Sequence, residues 1–152
     1  ITYGCLLRPH QEIRLLTWSE VDLERGIISL DGARNKTGRN RVVPIPGFVK
    51  KEIEMIDRSK SEFLFGTGKG PYNRDYFNTL WSRYKNQSEF DLTNVTLYSF
   101  RHTGAINVFE KTGSIQKVKE VMGHSNIQVS LIYLRGIEVS SLSVQDMPDL
   151  IL

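Results

Sequence analysis

Cysteine is almost missing from this chain: Cys5 stands alone among 152 residues. One thiol forms no intramolecular disulfide and completes no multi-cysteine zinc pattern. It suits a reducing compartment better than secretion, so a cytoplasmic location is expected. Long apolar runs are also absent. No stretch approaches the roughly 18 residues that a bilayer requires, and no signal-peptide progression opens the chain, so no membrane association is expected. The three histidines, His10, His102 and His124, stand far apart, with no second histidine at helical spacing. That pattern supplies no transition-metal signature, and no cofactor is expected. A Gly-x-Ser-x-Gly elbow is missing and no pair of carboxylates stands out, which leaves acyl-transfer and glycoside chemistry without support. Gly66-Thr67-Gly68-Lys69-Gly70 lacks the spacing and the Lys-Ser/Thr ending of a phosphate loop and reads as a turn.

What the chain does contain is material for one folded core. Apolar residues make up 39%, charged residues 24% and aromatics 10%, which excludes a disordered polymer, and the length fits one domain. No repeat or low-complexity segment interrupts it. The formal charge of +3 is modest, but its distribution is not. Arg34, Lys36, Arg39, Arg41, Lys50 and Lys51 follow one another with no acid between them, whereas the segment from Gly136 onward holds Glu138, Asp146 and Asp149 and no base. A polyanion-facing surface is expected at the first segment. The chain begins at Ile1 rather than methionine, with Arg8 close behind, so a truncated N-terminus and missing upstream parts are expected.

The pattern of elements predicts an α+β fold, mainly helical, with a small antiparallel sheet. Pro9 suits the first turn of a helix that breaks near Thr17, which puts Arg8 at its entrance. Ile27–Leu30 and Arg41–Pro46 read as a β-hairpin carrying the basic run, with Pro44 confining the second strand to an edge or ending it early. A helix is expected over Phe48–Arg58 with Phe48, Val49, Ile53 and Ile56 on its apolar face, then a short strand at Phe63–Phe65. Asn73 is placed to cap a helix whose Tyr76, Phe77, Leu80, Trp81 and Tyr84 form a core stripe. Three more helices follow: Ser99–Lys111 before Gly113, Ser114–Met122 before Gly123, and Ser125 through Tyr133.

Cationic groups carry the chemistry that remains. Tyr98 and Arg101 are three residues apart, on one side of a helical turn near its N-terminus, where backbone amides favour an anion. His124 sits at a helix-to-helix turn and Tyr133 follows nine residues later, so the two meet only if the helices fold back.

The set Arg8, Lys36 in Asn-Lys-Thr-Gly, Arg101 in Phe-Arg-His-Thr, His124 in Met-Gly-His-Ser and Tyr133 in Leu-Ile-Tyr-Leu resembles the catalytic domain of tyrosine recombinases, the phage integrases. The likeness spans essentially the whole chain in the family's order. It implies a site-specific DNA recombinase that cuts and rejoins strands through a 3'-phosphotyrosine, and it implies that the missing upstream parts are DNA-binding domains. Arg8, Arg101 and His124 would hold the phosphate, Lys36 would protonate the departing 5' oxygen, and Tyr133 would attack. Double-stranded DNA is the implied partner, with self-association on DNA as a tetramer, and integration or excision of a mobile element near a bacterial nucleoid is the implied task. Neither metal nor nucleotide is needed, because the ester keeps the energy for resealing. A type IB topoisomerase and a noncatalytic DNA-binding module are the alternatives.

Two positions depart from the family. Tyr98 stands where a histidine is usual; it can donate a hydrogen bond to phosphate but is a poor acid or base near neutral pH. The acid expected three residues after Arg8 is replaced by Gln11, with Glu12 next, so one of these two is expected to brace the site. Arg34, Arg39 and Arg41 are expected to grip backbone phosphates, in a salt-sensitive manner. His102 reads as structural, since it neighbours Arg101 and so points elsewhere on the helix. The acidic, apolar tail packs either on its own domain or on a neighbouring subunit.

Overall fold

The computed structural model describes residues 1–34, 38 and 40–135, with the side chain of Arg34 excepted. Three antiparallel strands, β1 (Val21–Asp22), β2 (Ile27–Leu30) and β3 (Arg41–Pro44), form a sheet in that order, so β3 is an edge. It ends at Pro44, opposite Ile27, where proline's missing amide costs no ladder bond further in. Helix α1 (Gly47–Glu54) buries Val49 and Ile53 against the sheet. It is shorter than its apolar spacing suggests. Phe48, expected on the inner face, is exposed and lies instead 6.2 Å from the ring of Tyr3.

Phe63–Phe65 forms no strand beyond one bridge from Phe63 to Thr17. The glycine-rich turn that follows is a two-stranded ribbon, β4 (Gly66–Thr67) with β5 (Gly70–Pro71). Helix α2 (Tyr76–Gln87) is capped by position at Asp75 rather than Asn73, whose Oδ1 accepts from the Asp75 amide one step earlier. Its aromatic stripe is not core. Leu80 and Tyr84 are exposed, Phe77 packs edge-on to Phe65, and Trp81 meets Phe100 while its Nε1 donates to the Val95 carbonyl. Periodicity marks an apolar face but not how deeply its neighbours cover it.

The last three helices pack as a small bundle: α3 (Leu97–Thr112), α4 (Ile115–Met122) and α5 (Ile127–Tyr133). Helix α3 starts two residues before the expected Ser99, because Thr96 and Ser99 form a reciprocal capping box. Gly113 and Gly123 end α3 and α4 in the left-handed region that glycine enters without a Cβ penalty. Two apolar clusters result. One joins the sheet, α1 and the N-terminal segment; the other joins Leu6 to Ala105, Val118 and Met122. Leu6 is the one described non-glycine residue with positive φ (54°), and it enters the second cluster almost wholly buried. Gly104 makes that possible, since a Cβ there would strike the Tyr3 carbonyl and the Leu6 side chain. The N-terminal segment thereby ties both clusters together, and the candidate site lies at their seam.

Candidate active site

The segment after Arg8 winds as a π-helix over Pro9–Ile13, not as a regular α-helix reaching Thr17. The amides of Ile13 and Arg14 bond five residues back, to the carbonyls of Arg8 and Pro9, each at 3.0 Å. A π-turn holds one more residue than an α-turn, so it absorbs the extra position between Arg8 and its acid. Glu12, not Gln11, consequently faces the site. Its Oε1 accepts from Arg8 Nη1 at 2.7 Å, and its Oε2 accepts from the Arg8 backbone amide at 2.7 Å.

Two further guanidiniums close on the same carboxylate. Arg41 Nη2 lies 2.9 Å and Arg101 Nη1 3.8 Å from Glu12 Oε2. Arg101 is 1% exposed and donates through Nη2 to the Met122 carbonyl at 2.7 Å. Three cations thus face one buried anion, a surplus of two positive charges. Arg41 Nε and Arg101 Nε and Nη1 are buried without a hydrogen-bond partner among the described residues. Buried donors left unsatisfied are costly unless something fills them. Burial first, and then the neighbouring Arg8, lowers the Arg101 guanidinium to about 10, with Glu12 opposing the shift; it stays charged at neutral pH. Arg41 is lowered as well, chiefly by burial.

The inward turn of Arg41 corrects the sequence expectation of a surface residue gripping DNA. Strand β3 alternates, with Arg41 and Val43 buried and Val42 and Pro44 exposed. The period of two that puts Val43 in the core puts Arg41 beside Glu12, so the signal was present in the sequence. Lys36 and Arg39 lie outside the described residues, as does the acidic tail. Of Arg34, only the backbone is described, in a short 3-10 turn.

His124 follows Gly123 at the end of α4. Gly123 has φ +66°, and a Cβ on it would fall onto the Arg41 guanidinium. The His124 Nδ1 lies 2.9 Å from Ser130 Oγ, and Ser130 is fully buried. Burial, followed by the charges of Arg101, Arg8 and Arg41, pushes the imidazole down to about 4, so it is neutral at pH 7. A neutral ring bonded through Nδ1 leaves Nε2 for another partner. Ser130 escaped the sequence reading; its one signal was a small hydroxyl within an apolar run, three residues before Tyr133 and hence on the same helical face.

Helix α5 does fold back. The Tyr133 ring centroid stands 5.4 Å from that of His124 and 5.2 Å from that of His102. His102, read as structural, therefore lies beside the tyrosine. Tyr98 sits at the rim, 40% exposed, its ring 6.3 Å from that of His10. Tyr98, Ser99, His102 and Tyr133 line one cavity of about 460 Å³. The structure thus gathers Arg8, Arg101, His124 and Tyr133 from four distant stretches and adds Glu12 and Arg41. Among the described residues, no three His, Cys, Asp or Glu side chains cluster so as to hold a metal ion, and no helix is long and apolar enough to cross a membrane. Chemically, the arrangement is a preorganised anion seat beside a phenol.

Comparison with known proteins identifies the family and the fold. The Phage integrase family matches residues 1–138. Tyrosine recombinase XerA of Thermococcus kodakarensis is 31% identical over 140 residues, covering 89% of this chain and 48% of the relative. The XerA of Thermococcus onnurineus is 30% identical over 139 residues, with the same shares of 89% and 48%. The chain spans about half the length of these curated relatives. Among solved structures, the fold is similar to that of XerA recombinase (TM-score 0.69, 20% identity, 82% of this chain and 47% of that one). It is also similar to the Tn1549 transposon integrase in complex with a circular intermediate DNA (TM-score 0.70, 23% identity, 87% of this chain and 51% of that one). With an α+β catalytic-domain fold, a match running from its first residue to residue 138 and the arginines, histidine and tyrosine drawn together, this chain belongs to the phage integrase family of tyrosine recombinases.

Proposed function

We propose that this protein is a site-specific DNA recombinase whose Tyr133 attacks a DNA phosphodiester. The tyrosine hydroxyl gives up its proton as its oxygen bonds to phosphorus, the bond from phosphorus to the 5' oxygen breaks, that oxygen leaves as a hydroxyl carrying one proton, and a 3'-phosphotyrosine remains. Attack by a 5' hydroxyl from another strand reverses the step and releases the tyrosine. The observation that carries this reading is the trio of guanidiniums around Glu12, with buried donors unfilled and Tyr133 against the neighbouring His124. A phosphoryl centre gains negative charge in the transition state, and fixed cations are the strongest lever on it, worth roughly 10²–10³ in rate for a single lost donor.

In this reading Arg8, Arg41 and Arg101 hold nonbridging oxygens and His124 donates through Nε2. Glu12 positions the guanidiniums. Tyr98 gives a hydrogen bond at the rim, and Lys36 carries the proton to the leaving oxygen. Arg34 and Arg39 grip flanking phosphates of double-stranded DNA, a contribution that weakens with salt. Assembly on DNA as a tetramer is part of the proposal. It is supported by a groove of about 590 Å³ whose lining joins Arg41 and His124 of the site to Val42, Pro44, Lys117 and Lys119, a basic and apolar surface suited to an acidic, apolar segment of a neighbouring copy. Integration or excision of a mobile element is the proposed task, which places the protein at cytoplasmic, nucleoid DNA.

The test is to incubate the full-length protein with nicked DNA carrying its attachment site and to look for an adduct that survives denaturant. Tyr133→Phe should abolish the adduct while DNA binding persists. An adduct retained in that variant assigns the attack to another residue. Relaxation without strand exchange favours the topoisomerase reading, and binding with no adduct favours a noncatalytic module.

A further inference from the structure

Helix α5 carries the tyrosine and is short, packing on α4 and α3. It has seven residues, of which Ser130 alone is buried, while Ile127, Val129, Leu131 and Ile132 are exposed. Helices shorter than about 12–15 residues do not hold their shape unaided, so the phenol's position depends on the contacts that α5 makes with its neighbours. Ser130 bonds His124, and the Tyr133 ring packs on the cluster of Leu6, Ala105, Val118 and Met122. Among the described residues, the ring contact of the tyrosine outside that set is His102. Its imidazole lies 27° from parallel with the phenol ring, whereas His124 is tilted by 39°. Tyr98 and His102 are four residues apart on α3, so His102 belongs to the face that lines the same cavity rather than to the far side of the helix.

We propose that His102 is a positioning residue: its imidazole stacks on the Tyr133 ring and fixes the plane in which the phenol oxygen swings toward the anion seat. The inference rests on the reading of Tyr133 as nucleophile. Stacking, not proton transfer, is the operative property, because the two rings meet face to face, 27° apart in plane and 5.2 Å between centroids. Another flat aromatic ring therefore substitutes for imidazole, and a polar chain of similar reach does not.

The experiment measures single-turnover adduct formation on nicked attachment-site DNA at saturating full-length protein, together with DNA affinity and the melting temperature of each variant. His102→Ala and His102→Gln should slow adduct formation about 3- to 10-fold, the range that an aromatic pair is worth, with DNA affinity unmoved. His102→Phe should recover most of the rate. A residue needed only for folding lowers the melting temperature without that split between binding and rate, and without recovery by phenylalanine. Should the alanine variant fail to fold, the comparison of Gln with Phe carries the same contrast. Equal rates for Gln and wild type, or a Phe variant as slow as Gln, overturn the proposal. Absence of an adduct from the wild-type protein overturns the nucleophile reading itself, and this one with it.

Discussion

Replacing Glu12 by glutamine removes the single negative charge from a cluster of three guanidiniums, and its effect can be sized from the structure. Glu12 and Arg41 are 5% and 8% exposed at their side chains, and Arg101 is 1% exposed, so water screens little of the interaction. Removing one partner of a buried ion pair costs about 3–5 kcal/mol, because the partner charges stay behind uncompensated. Glutamine retains size and one acceptor oxygen, which favours the lower end, about 3 kcal/mol. For a chain of this length each kcal/mol moves the melting point by about 2–4 °C, which gives a drop of roughly 6–12 °C. The distinctive outcome lies in the response to sulfate. The variant's site has three positive charges and no internal counter-ion, so the dianion should bind E12Q more tightly than wild type and stabilise it more, by mass action on the folded state. Thermal melts of both proteins with and without sulfate measure this. A variant that melts within about 2 °C of wild type, or one that sulfate helps no more than wild type, would refute the account of Glu12 as the charge that holds the cluster together.

Three further outcomes follow from the same geometry. His124 is held down to about 4 by burial and by the arginines, against 6.5 for the free side chain; the unfolded chain therefore takes up a proton first, and the stability present above pH 6.5 is lost as pH falls toward 4. Urea midpoints at pH 7 and pH 5 should diverge in wild type and converge in His124→Gln. Gly123→Ala forces a side chain into φ +66° and onto the Arg41 guanidinium, so a loss of about 1–2 kcal/mol in chemical denaturation is expected, with adduct formation slowed at least as much as folding is weakened. Ser130→Ala removes the hydroxyl at His124 Nδ1 and should cost about 1 kcal/mol by urea titration, together with a fall in adduct rate.

The hairpin, the three C-terminal helices and their glycine stops could be read from the sequence because each rests on local chemistry: alternation, a cap, a left-handed residue. The site was legible as a set of residue types in order, but not as a shape. Arg8 and Glu12 at a spacing of four fit either an α- or a π-turn, and only the tertiary setting selects the wider one. Arg41 was misread because its charge was weighed above its strand parity, although Val43 two residues on shares its buried face. The stripe on α2 failed for the opposite reason: the spacing of Leu80 and Tyr84 is sound, yet both remain exposed. His102 could not be assigned from sequence, since its partner arrives from 31 positions away along the chain.

Where α4 ends, Met122, Gly123 and His124 stand in succession, and each serves a different partner: a carbonyl for Arg101, open space for Arg41, an imidazole for Ser130 and Tyr133. Anything that shifts the end of α4 therefore disturbs the arginine seat and the imidazole together rather than one of them alone.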